Sequence, residues 1–249
     1  MLSVLVFILG LAVGSFLTTC IYRLPLQLSI VKPRSYCPFC RKQLASRDLV
    51  PVISLLLLRG RCRFCGEVLP RRYIYIELLT ALIYLWCFFV FGSSLLSIKA
   101  MLLATFLIGI TVIDLDYQLI LDKVVIWLAG IGVFINLVTA SLSLTDIILA
   151  VVTGGGVFLL IAVITKGGMG GGDIKFVAAL GIWLGLKLTL LTVLLSFFIG
   201  GLGSALLLLT RVKKRKDFIP FGPFIAVGAF LSMLYGEQLI SWYLAAILK

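Results

Sequence analysis

Residues 165–175 read Thr-Lys-Gly-Gly-Met-Gly-Gly-Gly-Asp-Ile-Lys, an interruption of five glycines and one carboxylate in an otherwise oily chain. On either side the sequence stays apolar for the length of a bilayer crossing, so this stretch reads as a boundary between membrane helices. The whole chain supports that reading. Of its 249 residues 62% are hydrophobic, and the mean hydropathy is +1.21, which is more apolar side chain than one soluble core buries. Apolar runs from Met1 to Ile21 and from Tyr73 to Leu248 hold about eight spans at roughly 20 residues each. The expectation is an all-α polytopic membrane protein with a first transmembrane helix over 1–21, one polar loop over 22–72, and a transmembrane domain over 73–249.

Charge orients the spans. The net charge is +12, and 11 of the 22 Lys and Arg lie between Arg23 and Arg72, with five more between Arg211 and Lys216. Basic loops of this kind mark the cytoplasmic face beside anionic headgroups. Neither cluster has the interleaved aromatics of a nucleic-acid stacking platform, so membrane lipid is the expected partner and nucleic acid is not. The first span has no positive residue before it and Arg23 after it, which reads as a retained helix with its N-terminus outside. The sequence contains no histidine, which excludes Ser-His-Asp and Cys-His catalysis and every His-ligated metal site.

Taken in order, a second span is expected from Tyr73 to Phe91 and a third from Ile98 to Ile113. Asp114, Asp116 and Asp122 then bracket a turn into a fourth span, Lys123 to Thr139. Asp146 is expected to cap the fifth span, and Gly154 to Gly156 within it to permit close helix contact. The run from Ile174 to Thr210 is too long for one span and is expected to turn at Gly185 to Lys187. An eighth span begins near Phe221, with Glu237 and Trp242 in an interfacial tail. On this count every strongly basic loop and both acid-bearing loops, 114–122 and 165–175, face one side.

The polar loop carries Cys37-Pro-Phe-Cys40 and Cys62-Arg-Phe-Cys65, two CxxC knuckles separated by 21 residues. Short knuckles aim two sulfurs each at one point, which predicts a tetrahedral four-cysteine zinc site in a zinc-ribbon-like loop. A disulfide or redox pair is the alternative. A site with four protein ligands is structural, with no open position for chemistry. Cys20 and Cys87 lie in spans and are expected to be buried small hydrophobes. Glu77, just inside the second span, either answers Arg71 and Arg72 or lines a polar pocket.

Four aspartates, Asp114, Asp116, Asp122 and Asp173, fall at helix ends on one face. Two carboxylates brought together at low dielectric share a proton; the ionised one can activate water while the protonated one polarises a carbonyl. That is aspartic protease chemistry without histidine. Gly170, Gly171 and Gly172 would let a substrate backbone approach and give dihedrals closed to other residues. The bland reading is that Asp173 and Asp122 merely cap helices. No Gly-Lys-Ser/Thr follows the glycines, so a phosphate-binding loop is not supported.

Gly14-Ser-Phe-Leu-Thr-Thr-Cys-Ile-Tyr-Arg-Leu-Pro25, the two knuckles, Tyr73 to Glu77, and Gly170-Gly-Gly-Asp173 together resemble the type IV prepilin peptidase family, bifunctional leader peptidases and N-methyltransferases of the GxGD aspartic class. The resemblance implies Asp173 as one catalytic acid and Asp114 as the other. Asp114 opens a pattern of Asp, five residues, Ile-Pro and a polar residue, met here by Ile120 and Asp122; Leu121 stands where proline is usual, which leaves Asp116 as the alternative first acid. It also implies a prepilin or pseudopilin substrate cut after a glycine at the cytoplasmic face of a bacterial inner membrane. The new amine is then methylated with S-adenosylmethionine, a cofactor implied by the resemblance alone, with Glu77 as the candidate residue for its site. The competing function class is a transporter or channel with a regulatory zinc ribbon, its aspartates binding a cation or proton.

Overall fold

The computed structural model describes residues 1–210, 214 and 219–247. The basic cluster from Arg211 to Lys216 lies outside the described residues except for Lys214. Among the described residues there are eight α-helices: α1 (Leu2–Arg23), α2 (Ile53–Leu57), α3 (Arg72–Phe91), α4 (Leu95–Tyr117), α5 (Asp122–Thr139), α6 (Leu144–Ile164), α7 (Gly171–Leu209) and α8 (Gly222–Ile247). All but α2 are long and apolar enough to cross a membrane. The chain divides into two compact units, Met1–Thr105 and Phe106–Lys249.

In the N-terminal unit, α1 packs antiparallel on α3 through two glycines four residues apart. A Cβ on Gly10 would lie 2.5 Å from the Ala81 Cα, and one on Gly14 would lie 2.7 Å from the Glu77 Cα. The backbones approach to a distance only glycine allows, as expected where lipid removes the hydrophobic drive for helix pairing and small residues carry the packing. Arg23 closes α1 from inside. It is buried, and its guanidinium donates to the carbonyls of Ser29 at 3.0 Å and Pro33 at 2.8 Å while lying over the Tyr36 ring. The last residue of the first span thereby fixes the path of the following loop. Cys20 and Cys87 are buried as expected.

In the C-terminal unit, α7 is 39 residues long, and Gly185 breaks it with φ 73° and ψ 175°. A straight helix of that length would extend about 58 Å. Instead Gly172, near its start, packs on Ile120, and Gly200, beyond the break, packs on Phe221. The Gly222 N–H next to Phe221 donates to Asp114, six residues before Ile120. Both arms of α7 thus approach the same end of the unit, so the chain reverses at Gly185 and α7 is two helical arms rather than one continuous rod. The reversal is held from two sides. Asn136 of α5 donates to the Ile182 carbonyl, and an Asp146 carboxylate oxygen accepts the Leu186 N–H at 3.3 Å. The sequence expectation for Asp146 is therefore corrected: Ser143 is the N-cap of α6, accepting from the Asp146 N–H, and the Asp146 carboxylate instead serves the first turn of the second α7 arm.

Gly154 and Gly155 make the close helix contacts expected of them, against Thr189 and Ala178, whereas Gly156 faces open space. The segment that carries Glu237 and Trp242 is helical: α8 continues through Glu237, which pairs with Lys187, to Ile247.

Candidate active site and candidate metal centre

Asp114 lies in the last turn of α4 and Asp173 in the first turn of α7. They are 5% and 9% exposed, and close enough that the charge of Asp114 acts on Asp173. The two acids that the sequence singled out, with 58 residues between them, come together. Asp116, two residues along, is exposed. Asp122 is also exposed and engages Lys175 of α7 at 2.8 and 3.0 Å, a bond worth at most about 1 kcal/mol in water that ties the start of α5 to the start of α7.

Each buried acid meets a helix N-terminus. Phe221 accepts the first intrahelical bonds of α8, so the N–H of Gly222 is one of the donors a helix start leaves without an internal partner. It donates to Asp114 Oδ2 at 3.0 Å. Asp173 is the third residue of α7, and its carboxylate is hydrogen-bonded to the backbone of Gly170, the N-cap. This is the reciprocal half of a capping box. Asp173 therefore caps its helix and also faces the other acid, so the bland and the catalytic readings describe one side chain. Both carboxylates lie at positive helix poles.

The glycines before Asp173 act differently from the expectation. None of Gly170, Gly171 and Gly172 has a positive φ, so they are not required for their dihedrals; Gly167, at φ 99°, makes the turn. A Cβ on Gly172 would lie 2.9 Å from the Ile120 Cβ, so Gly172 is small because α7 starts against the α4–α5 turn. Gly171 faces open space. Leu121 has φ −73°, within the range proline imposes, so the turn keeps its course without the ring. Gly222 was not read from the sequence, although Pro220-Phe-Gly-Pro223 carried a signal: proline is at home in a first helical turn, and glycine before it permits close approach. A Cβ there would fall 2.6 Å from Asp114 Oδ2.

In the N-terminal unit the sulfurs of Cys37, Cys40, Cys62 and Cys65 all lie within 4.8 Å of one another. Cys37 and Cys65 are 3.8 Å apart and Cys40 and Cys62 4.0 Å. A tetrahedral zinc at about 2.3 Å from each sulfur spaces them roughly 3.8 Å apart, so the donor set fits a metal, and no pair is at disulfide distance. The two knuckles have the same backbone. Cys37 N–H donates to Lys42 and Arg41 N–H to Cys37; Cys62 N–H donates to Glu67 and Gly66 N–H to Cys62. Arg41 and Gly66 occupy matching left-handed positions at φ 58° and 74°. Burial works to raise the Cys62 thiol, but hydrogen bonds from the Cys65 and Phe64 backbone and from the Cys37 and Cys65 thiols outweigh it and bring it down to about 7, while the bonds to Cys62, Cys40 and Cys37 push the Cys65 thiol up to about 12, so Cys62 is the first of the two to reach the thiolate a metal binds.

Glu77 is buried and accepts the Val52 N–H at 2.7 Å. It lines a cavity of about 700 Å³, which favours the pocket reading of this residue.

Residues 8–91 match the family profile described as the bacterial peptidase A24 N-terminal domain, and residues 101–205 match that of the type IV leader peptidase family. The chain is 39% identical over 245 residues to a prepilin leader peptidase/N-methyltransferase of Bacillus subtilis, covering 98% of each protein. It is 33% identical to the similarly named protein of Legionella pneumophila, covering 94% of this chain and 92% of that one. With that of Pseudomonas aeruginosa it shares 32% identity, over 95% and 91%. No solved structure matches.

Proposed function

The chain belongs to the type IV leader peptidase family, and from that premise we propose that it removes the leader of a prepilin or pseudopilin and then N-methylates the new terminus. The observation that carries the proteolytic half is the buried pair Asp114 and Asp173, each met by a helix N-terminus. One carboxylate, ionised, takes a proton from water as the water attacks the scissile carbonyl. The other, protonated, donates to the carbonyl oxygen as it gains charge; the proton then passes to the leaving amine. Asp114 is assigned as the first acid over Asp116 because it is buried and bonded to Gly222, whereas Asp116 is exposed.

The four cysteines hold zinc in a structural role, since all four positions are filled by protein. Residues 22–72 form the metal-bearing loop and the methyltransferase region, and residues 73–249 carry the peptidase. S-adenosylmethionine, when bound, supplies an electrophilic methyl group that the deprotonated terminal amine accepts as the sulfonium becomes a neutral thioether. The enzyme resides in the bacterial inner membrane with the aspartates on the cytoplasmic side, following the basic residues from Arg23 to Arg72. The transporter reading loses its footing because the aspartates sit at helix ends, whereas transported ions are held near the bilayer midplane.

Co-expression with a candidate prepilin tests the whole reading by mass. The mature pilin is expected to lack its leader and to carry one added methyl on its first residue. An uncleaved pilin beside a well-inserted enzyme would overturn the peptidase assignment, and cleavage without added methyl would overturn the methyltransferase one.

A further inference from the structure

The short helix α2 is built inside out. Ile53, Leu56 and Leu57 are spaced i, i+3 and i+4, so they share one face, and they are 55%, 63% and 78% exposed. Ser54 is the buried residue of the helix, and Leu55 is half-buried. On a helix that faces water the pattern runs the other way, with serine outside and the leucines within. An outward apolar face of this kind needs a cover.

Glu77 fixes how deep that face sits. With 20 residues, α3 is about 30 Å long, the thickness of the hydrocarbon core. It has no length to spare, so Arg72 stands at the membrane boundary and Glu77, five residues on, lies about 7.5 Å inside it. Its carboxylate accepts from the Ser15 hydroxyl of α1 and from the Val52 N–H at 2.7 Å. Even with the Glu77 side chain reaching back toward the helix start, Val52 is held no higher than about that boundary, and α2 begins at the next residue.

The connection is made with strained backbone. Val52 has φ 59° and ψ −52°, and the Ile53 N–H closes back on the Pro51 carbonyl at 2.5 Å. This is a γ-turn of the rare positive-φ kind, which a β-branched residue adopts at a cost. The turn aims the Val52 N–H into the protein, where Glu77 accepts it. Beside hydrocarbon a backbone donor has no water to satisfy it, so the turn and the acid together let this piece of loop lie there.

Charge identifies the cover. Arg59 and Arg61 follow Leu57, and Arg71 and Arg72 open α3; all four are exposed. From Arg23 to Arg72 the 11 basic residues stand against only Asp48 and Glu67. A second copy of this chain would set those cations against themselves, whereas an anionic leaflet takes apolar side chains at its acyl boundary and arginines at its phosphates. We propose that α2 is an interfacial anchor, with Ile53, Leu56 and Leu57 among the acyl chains of anionic phospholipid in the cytoplasmic leaflet and the neighbouring arginines at its headgroups. The four-cysteine loop is thereby laid on the membrane surface.

Fluorescence quenching tests this on the full-length, metal-loaded protein carrying Leu57→dansylalanine, with Glu67→dansylalanine, an exposed position on the second knuckle, as reference. The vesicles contain phosphatidylcholine with about one-quarter phosphatidylglycerol. A lipid with a nitroxide high on its acyl chain is expected to quench position 57 about fivefold or more above position 67, and aqueous iodide the reverse. Moving the nitroxide from phosphatidylcholine to phosphatidylglycerol is expected to raise quenching at 57 about twofold or more; equal quenching would overturn the anionic preference. If iodide quenches both positions alike and the nitroxide lipid quenches neither, the face is open to water and the anchor is overturned. If neither quencher reaches 57, a protein surface covers α2 and the lipid partner is overturned. Retained metal reports that each variant is folded. Should Leu57→dansylalanine lose its metal, Leu56→dansylalanine decides by the same readings.

Discussion

The two units of this protein hold buried acids with backbone N–H groups, but they obtain those donors in different ways. In the C-terminal unit the donor to Asp114 comes from the start of α8, where a helix leaves N–H groups without internal partners, and Asp173 is bonded within the start of its own helix. In the N-terminal unit Glu77 is met by a strained γ-turn at Val52, in a loop whose one α-helix is five residues long. Helices supply oriented donors as part of folding. A short polar loop must be forced into position, and the four-cysteine centre is what can force it. The N-terminal unit should thus depend on its metal, and the C-terminal unit on glycine contacts between helices.

The largest expected break of this contrast comes from metal loss. Cys37→Ser should release the metal and unfold the loop, at a cost on the order of 10 kcal/mol, while the helix content of the C-terminal unit survives; metal analysis beside circular dichroism checks both halves. Next is Gly222→Ala, whose added carbon would sit 2.6 Å from Asp114 Oδ2. The displaced carboxylate should cost about a hundredfold in cleavage rate, with metal content unchanged, as a peptide cleavage assay would reveal. Smaller still is Val52→Gly, which should relieve about 1 kcal/mol of backbone strain and raise the temperature at which metal is released on heating. Smallest is Leu121→Pro. Its φ of −73° already suits proline, so the C-terminal unit should gain about 0.4–1 kcal/mol through the unfolded chain, seen as a later loss of helix on heating.

What the sequence disclosed and what it concealed follow the range of the interactions. The spans, the two knuckles and the turn at Gly185 were legible because hydrophobic length, CxxC spacing and a glycine break are local. The pairing of Asp114 with Asp173 was legible only by combining their shared face with the missing histidine and the family resemblance. Three features stayed hidden because each depends on residues far away in sequence. Gly222 meets Asp114 across 108 residues, and the Asp146 carboxylate reaches the second arm of α7 across 40. Val52, an ordinary apolar residue in Leu49-Val-Pro-Val-Ile53, gains its strained turn alongside a bond to Glu77, 25 residues on. The glycines before Asp173 carried a correct location and an incomplete reason. Gly172 is small to let α7 start against Ile120, a packing demand no single-sequence pattern displays.

The central claim is that Asp114 and Asp173, and not Asp116, form the working pair. Its most direct test is the rate of leader removal from a prepilin peptide by purified Asp114→Asn, Asp173→Asn and Asp116→Asn proteins with equal metal content. The account predicts a loss of about a thousandfold or more for each of the first two and less than about a twofold change for the third. Wild-type cleavage by Asp114→Asn or Asp173→Asn, or a dead Asp116→Asn, would contradict it.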